Sequence, residues 1–270
     1  MLKQLKIELS RAFKNNKILF VLIIGCMITM YQFISTVVPS AVNVGDENAR
    51  FPLSVFKMWI GGEHLTYFSL MYYMIVPLLA AIPFADSFYA DKKSGYIKNI
   101  FVRTKKINYF SSKYLAVFIS AGVVGCIPLI LNLLSSAMII PSIIPDPASA
   151  TFPIVNKSIM SELFYSDPYL YTAIYLGIDF VFFGLFATIA LTTAHFIRNR
   201  ISVLLSPFIC YVLIYFLADN TDNYRYNPNS FLRPSQPVIP SVAGLLIMGI
   251  VIFMLTFGIF VYKGLKDDTY

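Results

Sequence analysis

Charged side chains are scarce in this sequence. Only 13% of its 270 residues are charged and 57% are hydrophobic, whereas a typical soluble domain carries about 25% charged residues. A water-soluble globule of this composition would have to expose large apolar patches, which soluble monomers rarely do. The shortage of charge therefore excludes a soluble enzyme or binding domain and indicates an integral membrane protein.

Catalytic and metal-binding patterns are missing as well. None of the 13 glycines precedes a lysine, so there is no phosphate-binding GxxxxGK[ST] loop, and neither HExxH nor GxSxG occurs. The three cysteines each fall within a long apolar run, which is typical of small buried residues rather than of a disulfide framework. We therefore expect no enzymatic activity, no cofactor and no metal site in this chain.

Long apolar runs are what the sequence does contain. A membrane-spanning helix needs about 20 mostly apolar residues. Six runs satisfy this requirement: residues 18–38, 65–85, 114–140, 170–196, 201–218 and 242–262. The sequence thus predicts an all-α membrane protein in which residues 1–270 form a single transmembrane domain of six helices.

The distribution of basic residues predicts how these spans are oriented. Of the 21 lysines and arginines, 16 lie in the N-terminal segment, the second and fourth loops and the C-terminal segment. Because loops on the cytoplasmic side carry an excess of Lys and Arg, we expect a multi-pass protein of the bacterial cell membrane with both termini in the cytoplasm. The formal charge of +7 sits next to the membrane, where lipids and cytoplasmic partners neutralise it, so it does not indicate nucleic-acid binding.

The N-terminal residues 1–17 predict a helix that lies in the membrane interface. Apolar residues recur at helical spacing between positions 2 and 13, with basic and polar residues on the opposite face. This amphipathic pattern is typical of helices buried to headgroup depth, although a signal for membrane orientation alone would also fit it.

The second loop, residues 86–113, contains a second short amphipathic pattern. Asp91, Ser94 and Gly95 predict a turn. Apolar side chains then recur every three to four residues ahead of Arg103: Tyr96, Ile97, Ile100 and Phe101. A helix with apolar side chains among basic ones favours a protein partner over a simple tether, with contact to lipid as the alternative.

This arrangement resembles a known family. The basic N-terminus, two spans and the pattern Asp91-x-x-Ser94-Gly95-Tyr96-Ile97, followed by Arg103 and a third span, resemble the ABC-2-type permeases of bacterial ABC exporters. The resemblance extends along the whole chain in organisation, although the family more often has Glu where this sequence has Asp91. Residues 219–240 are also more polar than the re-entrant hairpin of the larger exporters.

The resemblance implies a function and partners. It makes the segment from Asp91 to Arg103 a coupling helix that contacts an ATP-binding subunit, present in two copies, which binds ATP and magnesium. It also implies a second permease subunit, identical or a paralogue. The cargo would be an amphipathic or apolar molecule moved outward, with an antimicrobial peptide or a drug suggested by the permeases that this chain resembles.

One carboxylate falls within a predicted span. Asp179 lies in the fourth span, with Tyr175 one turn away and Asn132 in the third span. A buried acid is costly and marks transport pathways, so these three residues are candidates for the translocation path. Asp179 would also fit two alternatives: an ion-coupled secondary transporter that uses this carboxylate, or a purely structural hydrogen bond between helices. An intramembrane enzyme and a structural or sensory anchor have less support, because no motif points to either.

Overall fold

The computed structural model describes residues 1–42, 53–63, 67–149, 152 and 154–266, and every regular element within these ranges is a helix. The helices in chain order are α1 (Leu2–Phe13), α2 (Asn16–Gln32), α3 (Val38–Val42), α4 (Val55–Met58), α5 (Tyr67–Ala81), α6 (Ser87–Lys93), α7 (Tyr96–Phe101), α8 (Lys106–Ile139), α9 (Ser161–Ser166), α10 (Pro168–Thr193), α11 (Arg200–Asn220), α12 (Pro228–Leu232) and α13 (Val242–Lys266). A π-helical turn, Phe33–Val37, joins α2 to α3.

Within the described ranges, five helical stretches are long and apolar enough to cross a membrane. They are Asn16–Val42, which comprises α2, the π turn and α3, together with α8, α10, α11 and α13. Their ends lie within a few residues of five predicted spans, except that α8 begins eight residues before the predicted third span. The prediction of an all-α, multi-pass membrane protein is therefore confirmed.

The second predicted span, residues 65–85, does not form one long helix among the residues that are described. Positions 65 and 66 lie outside the described ranges, and α5 has 15 residues, about 22 Å at 1.5 Å per residue. A hydrocarbon core is about 30 Å thick. The chain leaves α5 through turns around Pro83, whose carbonyl oxygen accepts a hydrogen bond of 2.9 Å from the Asn15 side chain. Among the described residues the structure thus shows five candidate spanning helices, and the sixth crossing stays a prediction.

Four separate parts of the chain meet at one end of the bundle, here called the α1 end. Lys17 at the start of α2 and Arg200 at the start of α11 both bind Asp86, at 2.9 and 2.5 Å. Phe110 near the start of α8 packs against Phe260 near the end of α13, with ring centroids 5.3 Å apart. The segments that carry most of the lysines and arginines therefore lie at the same end of the molecule.

Helix α10 is at the centre of the bundle, where α5, α8, α11 and α13 all contact it. Its inward face is aromatic, and Phe182, Phe183 and Phe186 are buried. Gly125 of α8 permits a close approach, because an added methyl group there would overlap the ring of Phe183. Aromatic side chains against small residues thus set the separation of the two central helices.

Two chain segments fold back into the opposite end, here called the far end. Residues 53–63 and 227–236 carry buried side chains such as Trp59, Phe231 and Leu232. The two segments contact each other directly, because the backbone N–H of Ser235 donates to the carbonyl of Gly61 at 3.0 Å. The polar loop seen in the sequence at 219–240 is therefore exposed in its first part, whereas residues 227–236 are buried.

Candidate functional site

The turn between α6 and α7 has the conformation that the sequence predicts. Gly95 has φ of +73° and precedes α7 directly, in the left-handed region that disfavours residues with a Cβ. Nothing lies within 4 Å of the position where a Cβ would be placed, so the requirement for glycine comes from the backbone alone. Ser94 is exposed, and its hydroxyl donates to the carbonyl of Asp91 at 3.3 Å.

Helix α7 turns most of its apolar side chains toward this chain's own core. Ile97 and Ile100 are 1% and 9% exposed, and Tyr96 and Phe101 pack beside them. The outer face carries Lys98, Asn99, Val102 and Arg103, of which Val102 is apolar and 87% exposed. The apolar residues that the sequence assigns to a partner therefore hold α7 against the bundle.

A cluster of four buried or half-buried charges fixes the α6–α7 segment in place. It consists of Glu8 and Arg11 on α1, Asp91 on α6 and Lys113 on α8, here called the ion cluster. The Lys113 Nζ lies 2.6 Å from the Glu8 carboxylate and 2.7 Å from the Asp91 carboxylate. The Arg11 guanidinium bridges the same two carboxylates, at 3.0 and 2.6 Å. Two cations thus alternate with two anions.

Two aromatic side chains, Tyr109 and Phe84, also contact the ion cluster. The Tyr109 hydroxyl donates to Asp91 at 2.8 Å, and the Lys113 ammonium lies 4.8 Å from the centroid of the Phe84 ring. Burial alone would raise the pKa of Asp91, but the hydrogen bond from Arg11 and the charge of Lys113 more than offset it and lower that pKa. Asp91 is therefore a carboxylate at neutral pH.

A second set of ion pairs acts at the corner between α5 and α6. Asp86 is 3% exposed and binds both Lys17 and Arg200. The α6–α7 segment is consequently tied to α1 and α8 through Asp91, and to α2 and α11 through Asp86. Movement of this segment must displace four other helices or break one of the two sets of ion pairs.

Sequence reasoning missed Glu8 and Lys113. Gln4, Glu8 and Arg11 share one face of α1 at spacings of four and three, and this polar face turns inward, whereas Leu2 and Phe13 are exposed. The spacing is the signal that was available. Lys113, by contrast, reads as an ordinary loop lysine, because its burial depends on an α1 residue 105 positions away.

The three residues predicted for a translocation path are all buried, and each contacts a different set of neighbours. Asp179 is fully buried, and its carboxylate accepts a hydrogen bond of 2.9 Å from the hydroxyl group of Tyr73 on α5. Tyr175, although one turn away on the same helix, is not its hydrogen-bond partner. Tyr175 is also buried, and its ring packs at a tilt against that of Tyr171, with ring centroids 4.8 Å apart. Asn132 accepts from the Ile60 N–H at 2.8 Å and donates to Thr29 and Gln32.

An apolar groove of about 580 Å³ lies on the outside of α8, α10 and α13. Its walls are formed by side chains such as Phe118, Phe182, Leu246 and Phe253. Asp179, Tyr175 and Asn132 are not among its lining residues. The predicted path residues and this groove are thus distinct features.

The α1 end presents a second, polar groove of about 700 Å³ between α6 and the turn from α10 to α11. Lys93, Ser94 and Arg198 line it, and the Tyr89 hydroxyl closes one side by donating to the Arg198 carbonyl at 2.6 Å. The exposed basic residues on the outer side of α7 follow in the chain after the lining residues Lys93 and Ser94. Within the described ranges, no group of His, Cys, Asp or Glu side chains is arranged to hold a metal ion.

No protein-family model matches the chain, and no curated protein or solved structure matches it either.

Proposed function

We propose that this chain is the membrane-spanning permease subunit of an ATP-driven ABC exporter. The observation that carries this proposal is the α6–α7 segment: an exposed turn that is tied rigidly to a membrane-crossing helix. Asp91, immediately before the turn, is bound through Lys113 to α8, which is 34 residues long. A force applied to the turn by an ATP-binding subunit would reach the bundle through this ion pair.

The structure also suggests where that subunit would dock. The exposed basic residues here are Lys98 on α7, Arg103 just beyond its end, and Lys93 and Arg198 beside the turn, and Val102 is exposed among them. Charges at the rim of an interface steer association, whereas a central apolar side chain contributes more of the affinity. We assign the central role to Val102, which replaces Ile97 and Ile100 in the docking surface that the sequence suggested.

A six-helix topology completes the proposal. The α1 end holds the start of α2 and the end of α13, and a chain that begins and ends on one side must cross the membrane an even number of times. The second crossing would then consist of α5 and the turns around Pro83. The positive-inside bias places the α1 end, with both termini, in the cytoplasm of a bacterial cell.

The subunit composition and cargo follow from the same proposal. Two ATP-binding subunits would supply ATP and magnesium, and a second permease subunit, identical or a paralogue, would complete the pathway. The cargo we propose is an amphipathic or apolar molecule, such as an antimicrobial peptide or a drug. Supporting this, the groove beside α10 is walled almost entirely by apolar side chains.

The docking surface can be tested by placing a carboxylate at its centre. Val102→Asp should reduce co-purification of an ATP-binding subunit with the tagged chain by about tenfold or more, because the new charge is repelled by an acidic partner surface. Val155→Asp is the matched control, since Val155 is an exposed valine in the connection between α8 and α9, away from the α1 end. If Val102→Asp retained the subunit and still exported cargo, the assignment to an ABC exporter would lose its main support.

An ion-coupled secondary transporter is the second candidate. It is favoured by one observation: the Oδ1 atom of the buried Asp179 has no hydrogen-bond partner among the described residues. The two functions differ in their energy source. Cargo uptake into inverted vesicles that requires ATP hydrolysis supports the exporter, whereas uptake driven by an ion gradient without ATP supports the alternative.

A further inference from the structure

A third groove, of about 440 Å³, lies between α1, α7 and the start of α8. Lys3 and Ile7 of α1 form one wall, and Tyr96 and Ile100 of α7 form the other, with Arg103 just beyond the end of α7. Asn108 closes the groove at the side of α8. It shares Arg103 with the basic docking surface proposed above, and none of its lining residues belongs to the apolar groove beside α10.

The charged side chains that line this groove are all positive. Lys3 and Arg103 are both exposed there, and its lining residues, all of them described, include no carboxylate. Glu8 is on the same helix as Lys3, but its carboxylate forms ion pairs with Arg11 and Lys113 in the ion cluster. Two cations flanked by side-chain amides form a suitable site for a phosphate group.

The position of the groove indicates which kind of phosphate reaches it. The start of α1 is held against α8 by a hydrogen bond of 3.4 Å from the Ser112 hydroxyl to the carbonyl of Met1. Leu2, which is 82% exposed, and Ile107, which is 39% exposed, each directly precede in the chain a residue that lines the groove. The groove therefore places two cations at the start of a candidate membrane-spanning helix, with exposed apolar side chains at the adjoining chain positions.

We propose that this groove binds the headgroup of an anionic phospholipid. Lys3 and Arg103 hold the phosphate, Asn99 and Asn108 bind the polar part of the headgroup, and the acyl chains run along Leu2 and Ile107. A free phosphate would use only the cations, whereas a lipid uses the cations and the exposed apolar side chains together. The inference concerns the purified chain alone and does not depend on the proposed exporter function.

The test measures lipid binding to the full-length chain in neutral detergent, by native mass spectrometry, with phosphatidylglycerol as the probe and phosphatidylcholine as the neutral comparison. The groove variant is Lys3→Ala with Arg103→Ala. The matched control is Lys6→Ala with Lys105→Ala, which removes the same charge from exposed positions on the same two segments that do not line the groove. A further variant, Asn99→Glu, adds a carboxylate to the groove and leaves both cations in place.

We expect the groove variant and Asn99→Glu to weaken phosphatidylglycerol binding at least about tenfold, because each cation near a membrane surface contributes several-fold to the affinity for anionic lipid. The control variant should change it less than about twofold, and phosphatidylcholine should bind weakly to all four proteins. Equal weakening in the groove and control variants would show attraction by net charge alone and would overturn the site. Displacement of the lipid by millimolar inorganic phosphate would identify a free-anion site and would overturn the lipid assignment.

Discussion

At the scale of single residues, Lys113 has the most unusual environment in the described part of the chain. Its side chain is fully buried, yet it lies between two carboxylates at 2.6 and 2.7 Å. A buried ion pair adds little net stability when complete, because desolvation offsets the attraction, but removing one partner leaves an uncompensated charge. The importance of Lys113 should therefore become apparent only when it is replaced.

We expect Lys113→Met to lower the free energy of unfolding by about 3–5 kcal/mol, since Glu8 and Asp91 would then share one arginine. Lys105→Met is the control, because Lys105 is exposed and lies immediately before α8, the helix that carries Lys113. The measurement is the thermal midpoint of the purified chain in detergent, together with its amount in the membrane. Similar midpoints for the two variants would contradict the energetic role assigned to the ion cluster.

Asp91 gives a prediction about pH. Its pKa is lowered in the folded chain, so its ionised form stabilises the fold above the ordinary aspartate pKa of about 3.9, and that contribution is lost as pH falls through the folded value. The difference in thermal midpoint between the wild type and Asp91→Asn should therefore stay constant from about pH 8 to pH 5 and shrink below about pH 4. A difference that disappeared between pH 7 and pH 5 would be inconsistent with a lowered pKa.

Asp179 is the residue whose role separates transport from stability. Asparagine keeps a carbonyl oxygen that can accept the hydrogen bond from Tyr73, so Asp179→Asn should leave the amount of protein in the membrane unchanged while lowering export. Tyr73→Phe is the companion variant, because it removes the hydroxyl that binds Asp179 at 2.9 Å. Full export by Asp179→Asn would exclude this residue from the pathway, and loss of the protein would favour a structural role.

At the scale of elements, the α6–α7 turn depends on one backbone conformation. Gly95→Val should cost about 1–2 kcal/mol, because a left-handed conformation brings a Cβ close to the following carbonyl. Gly95→Asn should cost less, since asparagine tolerates this region better than other residues, and the added side chain meets open space. Co-purification of the ATP-binding subunit should follow the same order, and equal behaviour of the two variants would show that the turn tolerates another conformation.

The elements that sequence reasoning predicted best are those whose signal is local. The apolar runs that become α2, α10, α11 and α13 are visible as windows of sufficient length, and the turn at Gly95 is visible as a Ser-Gly pair. The inward face of α7 was not predictable in the same way. An amphipathic helix with Ile97 and Ile100 on one face fits either a partner or its own bundle, and only the position of α8 decides between them.

At the scale of the whole molecule, the orientation in the membrane can be measured directly. In a variant without Cys26, Cys126 and Cys210, a single cysteine at position 157 should react with a membrane-impermeant thiol reagent on intact cells. A single cysteine at position 105 should not react until the cells are opened. The reverse pattern would invert the orientation, and equal labelling in sealed cells would contradict a single crossing by α8 between the two positions.

Long-range polar contacts are the part of the molecule that the sequence did not reveal. Tyr73 and Asp179 are 106 positions apart, and Asn132 reaches Gln32 across 100 positions. Each partner could have been any of several hydroxyl or amide side chains, because hydrogen bonding requires proximity and has no periodic signature. Length and hydropathy therefore predict which segments cross the membrane, whereas the polar contacts that join those segments emerge only from their packing.

The ion cluster also sets an order of events during synthesis. Glu8 and Arg11 leave the ribosome 80 residues before Asp91 and about 105 before Lys113, an interval of roughly 4–20 s at usual translation speeds. Until then α1 holds only its internal pair between Glu8 and Arg11, and its polar face has no counterpart. Helix α1 therefore acquires its native neighbours only after α2 and α5 have been made and α8 has begun, so a nascent chain that stalls before α8 carries an unsecured α1 that quality-control proteases can reach.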